Sequence, residues 1–532
     1  MSIFNIPPAQ HAWHFIEKSK AMVLLNTLKD ADAKAKAQIP NELLEKEYDL
    51  RVELIYLQRT IAEQETKQGD DRDQNFIDEC HSKQFAYNEQ WQALITQFER
   101  DYPDYFNLKH QTRLPDITQI RQFLDAQSII INYLVGKKHI YTCTLTLSNL
   151  NFYRFDKPEN FDRTCSDVVG YTRRSRNKYF AVAHQLYQLL IKAVLPNDST
   201  QNIKQIIIIP DGPLRDIPFE TLLSDEPHNK QSFAAQPYLI NQYTISYHYS
   251  AALWLYGEQR AAQKPPRPDS FVGFAPVYPD SPPAFVPPPD EIGDLKIDWG
   301  SMPHELYPPQ AASSTNITIK RYRSSEKNEL FRSVNLNGTT FCELLKSEDE
   351  IKNIAQLFKQ RKLTANAYLH HYATKQNLLN DISTYKYILI AAHNDFNPQK
   401  ADFSGILLSP EPNSPDATIF TITETYHLRL KNAALVVLSC CDSGRGADIK
   451  GEGMMAMNRG LLFSGADQVI YTLFKIPDAE SATLMTYLFD EILASNPATN
   501  IASALCRAKR RFIQKHPDLS PEHWAGYVLL GG

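Results

Sequence analysis

The chain has 532 residues, which is enough for about three domains of ordinary size. Hydrophobic residues make up 43% and charged residues 22%, so the chain can build large cores and wholesale disorder is excluded. The 56 Lys and Arg stand against 61 Asp and Glu, a formal net charge of −5. With no basic surplus, direct nucleic-acid binding is not expected.

Neither the membrane nor the secretory pathway is indicated. No apolar run approaches the roughly 18 residues of a membrane helix, and the first residues lack the apolar centre of a signal peptide. Seven cysteines without a CxxC pair make a disulfide framework or zinc ribbon improbable. We therefore expect a cytoplasmic protein with no metal and no cofactor, whose thiols are free for chemistry.

Helical periodicity dominates the first region, 1–115. Between Pro40 and Tyr102, two helical segments separated by a polar break predict an antiparallel helical hairpin. One hairpin does not establish a repeat period, so the end of a solenoid and a simple helical cap on the next domain both stay open.

Strand patterns begin at Gln127 and define a second region, 116–262. Strands are predicted at Ser128 to Val135, His139 to Leu147, Leu150 to Phe155 and Gln205 to Ile209, with an amphipathic helix before the last of these. Strand, helix, strand predicts a sheet with helices on its faces.

A proline-rich stretch, 263–325, separates this region from the C-terminal one. Of the 33 prolines, 13 lie between Pro265 and Pro309, so the stretch is expected to be a linker or surface loop without a central strand. The last region, 326–532, alternates helices and strands. Its continuous apolar runs predict parallel strands buried on both faces and a doubly wound α/β domain.

Two predicted strands of this region end on reactive residues. One runs into His393 and the other into Cys441, which a turn signal follows. Carboxyl ends of parallel strands meet at one edge of a sheet, where an imidazole can take the proton of a thiol. By spacing alone, a structural Cys–His pair is the more common outcome, because free cysteine is among the most buried residues.

The motifs around these residues resemble the CHAT peptidase family, which comprises caspase-like cysteine peptidases related to separase. The resemblance rests on ALVVLSCCDSGRG (434–446), GEGMMAMNRGLLFSGADQVI (451–470), IIIIPDGPL (206–214), IPFETL (217–222), FAPVY (274–278), ATK (373–375) and HWAGYVLLG (523–531). It covers residues 127–532 and implies a caspase-like fold with a non-catalytic and a catalytic half. The helical start resembles the end of the tetratricopeptide-type region that often precedes a CHAT domain.

The resemblance also implies a catalytic site. The family's nucleophile falls on Cys441 and its histidine on His393, with backbone N–H groups of Cys441 and Asn394 as the oxyanion site. The sequence departs from the family where Leu389 replaces a first histidine and Asn394 replaces a glycine. Asp395 is a candidate for orienting the imidazole, but a solvated turn acid is the favoured expectation, since caspase-like enzymes commonly work with two residues.

Four acidic residues are candidates for binding substrate. By resemblance to separase, Asp478 lies where a carboxylate can receive a basic side chain that precedes the cut, although Asp478 also suits the cap of the following helix. Asp442, Glu452 and Glu480 are the further candidates, and Glu452 also suits a role in bracing its loop.

These features predict a cysteine endopeptidase that cleaves a specific protein partner. The resemblance adds a role in bacterial antiviral defence or cell death, and a regulatory protein that binds the N-terminal helices. The alternative is a catalytically silent scaffold or interaction module with the caspase fold. A nucleotide-sensing effector has little support, because the sequence contains no phosphate-binding glycine motif.

Overall fold

The structure is a computed structural model of the chain. It describes residues 8–66, 72–110, 114–196, 202–227, 232–276, 318–323, 330–336, 339–342, 344, 346–395, 404–411, 419–440, 443–444, 447–449, 453–494 and 500–531.

Helices form the N-terminal region. They are α1 (Pro8–Lys18), α2 (Met22–Lys36), α3 (Asn41–Thr66), α4 (Gln74–Asp101), α5 (Pro103–His110) and α6 (Ile117–Arg121). The predicted hairpin is α3 against α4, held by apolar side chains that include Leu50 and Phe98. Asp73 begins α4 by accepting a hydrogen bond from Phe76 N at 3.0 Å. This pair of helices does not establish a tetratricopeptide repeat, which stays a prediction.

The second region contributes strands and helices close to the predicted bounds. They are β1 (Ser128–Val135), β2 (His139–Leu145), β3 (Leu150–Asp156), α7 (Phe161–Asp167), α8 (Gly170–Arg174), α9 (Arg176–Tyr187), β4 (Gln205–Ile209), β5 (Thr244–Tyr247) and α10 (Ala251–Gln263), and β6 (Ser270–Pro276) follows within the proline-rich stretch. Strands β1, β4 and β5 are parallel, and β2 and β3 extend the sheet as an antiparallel meander.

The third region alternates strands and helices as predicted. Its elements are β7 (Thr318–Arg323), β8 (Leu330–Leu336), β9 (Thr339–Cys342), α11 (Ser347–Gln360), β10 (Thr364–His370), α12 (Lys375–Asp381), β11 (Tyr387–Ile390), β12 (His393–Asp395), β13 (Gly405–Leu407), β14 (Ile419–Thr421), α13 (Ile422–Thr425), β15 (Leu435–Leu438), β16 (Ala447–Ile449), β17 (Gly453–Met455), α14 (Met457–Phe463), β18 (Gln468–Thr472), α15 (Asp478–Ala494), α16 (Ile501–Lys515) and β19 (Tyr527–Leu530).

One 11-stranded sheet joins both halves, in the order β10-β6-β11-β15-β18-β19-β5-β4-β1-β2-β3. Helices cover both faces, so the predicted doubly wound α/β fold is confirmed. Strands β6, β11, β15 and β18 are mutually parallel, whereas β19 runs antiparallel to β18 and parallel to β5. The parallel strands of the two halves therefore end at opposite edges of the sheet.

Strand β6 corrects the expectation for the proline-rich stretch. Its residues lie between β10 and β11, and Phe271, Val272 and Phe274 are fully buried. The sequence prediction of no central strand was therefore wrong for Ser270–Pro276. Pro276 is tolerated because it is the last residue of the strand, and the apolar run before it contains no proline.

Within the residues that the structure describes, no helix is both long enough and apolar enough to cross a membrane.

Candidate active site

Strand β11 carries the chain to His393. The ladder to β6 continues one residue beyond Ile390, because Ala391 N donates to Phe274 O at 2.9 Å. The chain then leaves the main sheet for a small antiparallel sheet, in which His393 pairs with Leu407 of β13. His393 is half-buried. The imidazole is thus carried just beyond the carboxyl end of a buried strand.

Strand β15 carries the neighbouring segment to the same edge. Ser439 N donates to Ile390 O at 2.9 Å, and the buried Cys440 thiol donates to the same carbonyl oxygen at 3.4 Å. Both residues that precede Cys441 are therefore bonded to the last residue of β11. Because β11 and β15 are parallel neighbours, the sequence after each strand emerges at one edge.

Thr472, the last residue of β18, fixes the chain on both sides of positions 441 and 442. Its hydroxyl donates to Cys440 O, and it accepts from Ser443 N at 3.1 Å. Gly444 N donates to Thr472 O at 3.0 Å. A Cβ on Gly444 would lie 2.5 Å from the Tyr471 ring, so the turn requires glycine for its close approach to β18.

Cys441, Asp442 and Glu452 lie outside the described residues, and their assignment to the site stays a prediction. The register of the flanking strands is described. Tyr387 pairs with Leu435 and Ile390 pairs with Leu438, an offset of 48 positions (438 − 390 = 48).

Asn394 and Asp395 both lie in β12. Asn394 has no left-handed φ, so its extended backbone accepts a residue other than glycine at this position. Asp395 pairs with Gly405 and is half-buried, and burial raises the pKa of its carboxyl. It is therefore a strand residue and not the solvated turn acid that the sequence suggests.

Asp478 begins α15 and connects it to α11. Its Oδ2 accepts from Lys346 N, the residue before α11, at 2.7 Å. Burial raises the pKa of the Asp478 carboxyl, and the hydrogen bond from Lys346 N partly offsets the rise. This hydrogen bond joins Asp478 to the residue before α11, whereas the alternative drawn from the sequence concerns the cap of α15 itself and stays a prediction.

Glu480 lies in the first turn of the same helix and contacts the C-terminal motif. Its Oε1 is 3.4 Å from His523 Nδ1, and His523 Nε2 is 3.5 Å from Glu522 Oε1. Asp478 and Glu480 are close enough for the second carboxylate to raise the pKa of the first. The structure therefore brings these two predicted residues together at the start of α15.

Glu350 is a buried acid that the sequence analysis missed. It lies on α11 with a relative exposure of 1%, and Ser439 Oγ is 3.3 Å from its Oε2. Ser439 is two positions before Cys441. Glu350, Ile354 and Phe358 are spaced four residues apart, so they lie on one face of α11, and the two apolar members face the core. This spacing is the sequence pattern that could have indicated a buried glutamate.

Metal binding has no support among the residues that the structure describes, where no three His, Cys, Asp or Glu side chains are grouped to hold an ion. His370, the first of two consecutive histidines, has Nε2 3.2 Å from Glu348 Oε1.

A family model described as the CHAT domain matches residues 181–532, which is more than half of the chain. The chain belongs to the CHAT domain family. This match confirms the recognition made from the motifs. It includes β4 and β5 of the second region as well as all of the third region, so the CHAT domain spans the junction between the two halves of the sheet.

Solved structures with low sequence identity are similar to this CHAT domain protein. The complex of the pro- and mature domains of Porphyromonas gingivalis RgpB has 10% identity and a TM-score of 0.37, with 70% of this chain and 77% of that chain covered. Saccharomyces cerevisiae separase, in its complex with securin, has 9% identity and a TM-score of 0.44, with 86% of this chain and 34% of that chain covered. The chain thus corresponds to about a third of that separase. No curated protein matches the sequence.

Proposed function

We propose that this CHAT domain protein is a cysteine endopeptidase whose catalytic dyad is His393 and Cys441. The observation that carries the proposal is the strand register. The β11–β15 offset is 48 positions, and residues 393 and 441 are also 48 apart (441 − 393 = 48). Each lies three residues beyond the last paired residue of its strand. On parallel neighbours, equal distances past the ladder favour the meeting of imidazole and thiol.

The reaction is acyl transfer to sulfur. His393 takes the thiol proton of Cys441, and the thiolate attacks the carbonyl carbon of the peptide bond. Backbone N–H groups of Cys441 and Asn394 bind the oxygen that becomes negative. The imidazolium then gives its proton to the leaving amine, and water cleaves the thioester to release the acid and restore the thiol.

The acidic residues at the start of α15 define the substrate proposal. Asp478 and Glu480 form a carboxylate pair, to which Asp442 and Glu452 add charge. A basic side chain before the cut fits this group, since a pocket lined by carboxylates leaves an unpaired charge when a neutral residue enters.

We assign 326–532 to the catalytic half, 116–262 to the non-catalytic half, and 1–115 to a helical region that binds a regulatory protein. A cytoplasmic role in bacterial antiviral defence or cell death completes the proposal.

A panel of fluorogenic peptides with Arg, Lys, Met or Asp before the reporter tests the dyad. We expect Cys441→Ala and His393→Ala each to reduce kcat by about 10³-fold or more, because each removes a member of the reacting pair. Cys440→Ala is the matched control. Its thiol donates to Ile390 O inside the core, so this variant should retain turnover.

Absence of Cys441-dependent turnover, with candidate protein partners added, would favour the silent scaffold. Co-expression with the products of neighbouring genes extends the test to a natural substrate. New fragments that disappear with Cys441→Ala, and persist with Cys440→Ala, would identify that substrate.

A further inference from the structure

Four buried oxygen-bearing side chains meet at Ser439, two positions before the proposed nucleophile in the sequence. Glu350 comes from α11, Ser439 from the end of β15, Ser481 from α15 and Tyr527 from the start of β19. Ser439 Oγ lies 2.7 Å from Tyr527 OH, 2.9 Å from Ser481 Oγ and 3.3 Å from Glu350 Oε2. Ser481 Oγ and Tyr527 OH are 2.5 Å apart. The three hydroxyls thus form a closed ring, and the carboxyl touches it through Ser439.

Counting protons decides which form of Glu350 the cluster favours. The ring has three contacts and three hydroxyl protons, so each hydroxyl can donate once and accept once around it. The fourth contact, to Glu350, has no remaining hydroxyl proton. A neutral Glu350 supplies one by donating its own proton in a hydrogen bond to Ser439 Oγ. An ionised Glu350 can only accept a hydrogen bond from the Ser439 hydroxyl, and one contact of the ring is then left without a donor.

We propose that Glu350 is a positioning residue, which as a neutral carboxylic acid completes a hydroxyl ring that fixes Ser439 and the adjoining nucleophile segment for reaction. This inference rests on the proposed function. Ser439 N is bonded to Ile390 O, so the ring acts on the point where β11 and β15 are joined. Disorder in the ring would move the segment that leads to Cys441 relative to the one that leads to His393.

Burial of Glu350 supports the neutral form. Its Oε1 is buried and has no hydrogen-bond partner among the described residues, and an uncompensated carboxylate in such a place is strongly disfavoured. Burial raises the pKa of Glu350 to about 8, the hydrogen bond with Ser439 lowers it, and the charge of Asp478 raises it.

In the part of the chain that the structure describes, the other charged and titratable groups around Glu350 do not supply a counter-ion. On β19, burial raises the pKa of Tyr527 well above its ordinary value, so its hydroxyl stays protonated, and Cys440 contributes in the same direction. The cations of α11 are engaged at its exposed side, Lys346 with Asp349 and Lys352 with Glu348. His370 of β10 also pairs with Glu348, and β6 presents Gly273 and Phe271 to the helix.

Glu350→Gln and Glu350→Leu, with Glu348→Gln as the matched control on the same helix, test the inference. The glutamine is a permanently neutral replacement that keeps both a donor and an acceptor. We expect it to retain kcat within about threefold at pH 6.5, and the alkaline fall of its activity to begin at a higher pH than in wild type. Glu350→Leu should lower kcat about tenfold or more with little change in KM, because the displaced segment carries the nucleophile.

Thermal unfolding gives a second measurement that does not need activity. In the folded protein the Glu350 pKa is about 8, against an ordinary value of 4.5, so between these pH values the folded state holds a proton that the unfolded state has lost. Stability conferred by wild-type Glu350 therefore falls as pH rises from about 4.5 to 8. The Tm of Glu350→Gln should rise relative to wild type across this window, while Glu348→Gln shows no such trend.

The outcomes separate this inference from the proposed function. Wild-type turnover that depends on Cys441, combined with a Glu350→Gln activity profile and Tm difference that match Glu348→Gln, overturns the inference alone. Glu350→Leu with wild-type kcat also overturns it. Absence of Cys441-dependent turnover overturns the proposed function, and a flat Tm difference would then independently reject the neutral acid.

Discussion

The two edges of the sheet differ in what occupies the carboxyl ends of the parallel strands. In the half that we propose to be non-catalytic, the buried Lys20 from the turn after α1 fills this position. Its Nζ donates to Asn132 Oδ1 at 2.8 Å, to Tyr133 O at 2.5 Å and to Ile209 O at 3.2 Å. In the half that we propose to be catalytic, the corresponding strands lead towards His393 and Cys441 in the sequence. One edge is therefore occupied by a side chain from the chain's own N-terminal region.

The buried acids of the two edges show the same contrast. Glu17 accepts from Asn132 Nδ2 at 2.6 Å and from the backbone N–H groups of Ala251 and Ala252 at the start of α10. Both of its oxygens are bonded, and they serve to dock a helix. Glu350, at the other edge, has one oxygen without a hydrogen-bond partner among the described residues. A structural cluster typically pairs all of its buried polar atoms in hydrogen bonds. A buried acid with an unpaired oxygen is instead a place where the protonation state matters.

Of the three variants that compare these regions of the molecule, Asp478→Asn should have the largest effect. An asparagine oxygen still accepts from Lys346 N, so the contact to α11 is kept while the charge is removed. We expect kcat/KM for Arg and Lys peptides to fall about 10²-fold, because a basic side chain would lose its counter-ion. The panel of four peptides measures it, with the exposed Asp349→Asn as control. An equal, small change for all four peptides would assign Asp478 to helix capping alone.

An intermediate effect is expected from Lys20→Met at the closed edge. The methionine fills similar volume but leaves Asn132 Oδ1 and two backbone carbonyls without their donor, so the free energy of unfolding should fall by about 1–3 kcal/mol. Denaturant titration measures the change, and exposed Lys18→Met should be neutral. Turnover per folded molecule should stay unchanged. A selective loss of turnover would show that this edge takes part in catalysis after all.

The smallest effect should come from Tyr48→Phe, which tests how the N-terminal helices hold the catalytic half. Tyr48 OH of α3 donates to His427 O at 2.8 Å, and the neighbouring pair Arg429–Glu45 is exposed. Loss of one such hydrogen bond should lower the free energy of unfolding by about 1 kcal/mol. Tyr56→Phe, at an exposed position of the same helix, is the control. If Tyr48→Phe lowered the free energy of unfolding as much as Lys20→Met, the N-terminal helices would be held with equal strength against both halves of the sheet.

Apolar patterning predicted the sheet well. The predicted bounds of strands β1, β4, β11 and β15 lie within two or three residues of the observed ones. The prediction succeeds because a strand buried on both faces has a continuous run of apolar residues. The assignment of His393 to a strand end followed from the same runs. Where apolar and turn-forming residues mix, prediction failed. The sequence predicts one helix from Gly453 to Ser464, but α14 begins only at Met457, and β17 precedes it as half of a hairpin with β16.

Buried polar residues could not be predicted from one-dimensional patterns. Lys20 and Glu350 lie in the core because distant parts of the chain supply their partners, 112 positions away for Lys20 and Asn132 and 89 for Glu350 and Ser439. Composition and periodicity assign such residues to the surface. The proline count also led to the wrong prediction for β6. It was taken over a range that combines this seven-residue strand with the proline-rich residues that follow it.

The place of β19 has a consequence for when activity can begin. Its residues lie between β18 and β5, and Tyr527 belongs to the hydroxyl ring that contains Ser439. On a ribosome, every other strand of the sheet is synthesised earlier. A nascent chain therefore lacks both the seam of the sheet and one member of the hydroxyl ring until residues up to 531 have emerged, which would delay the proposed activity until translation of this region is complete.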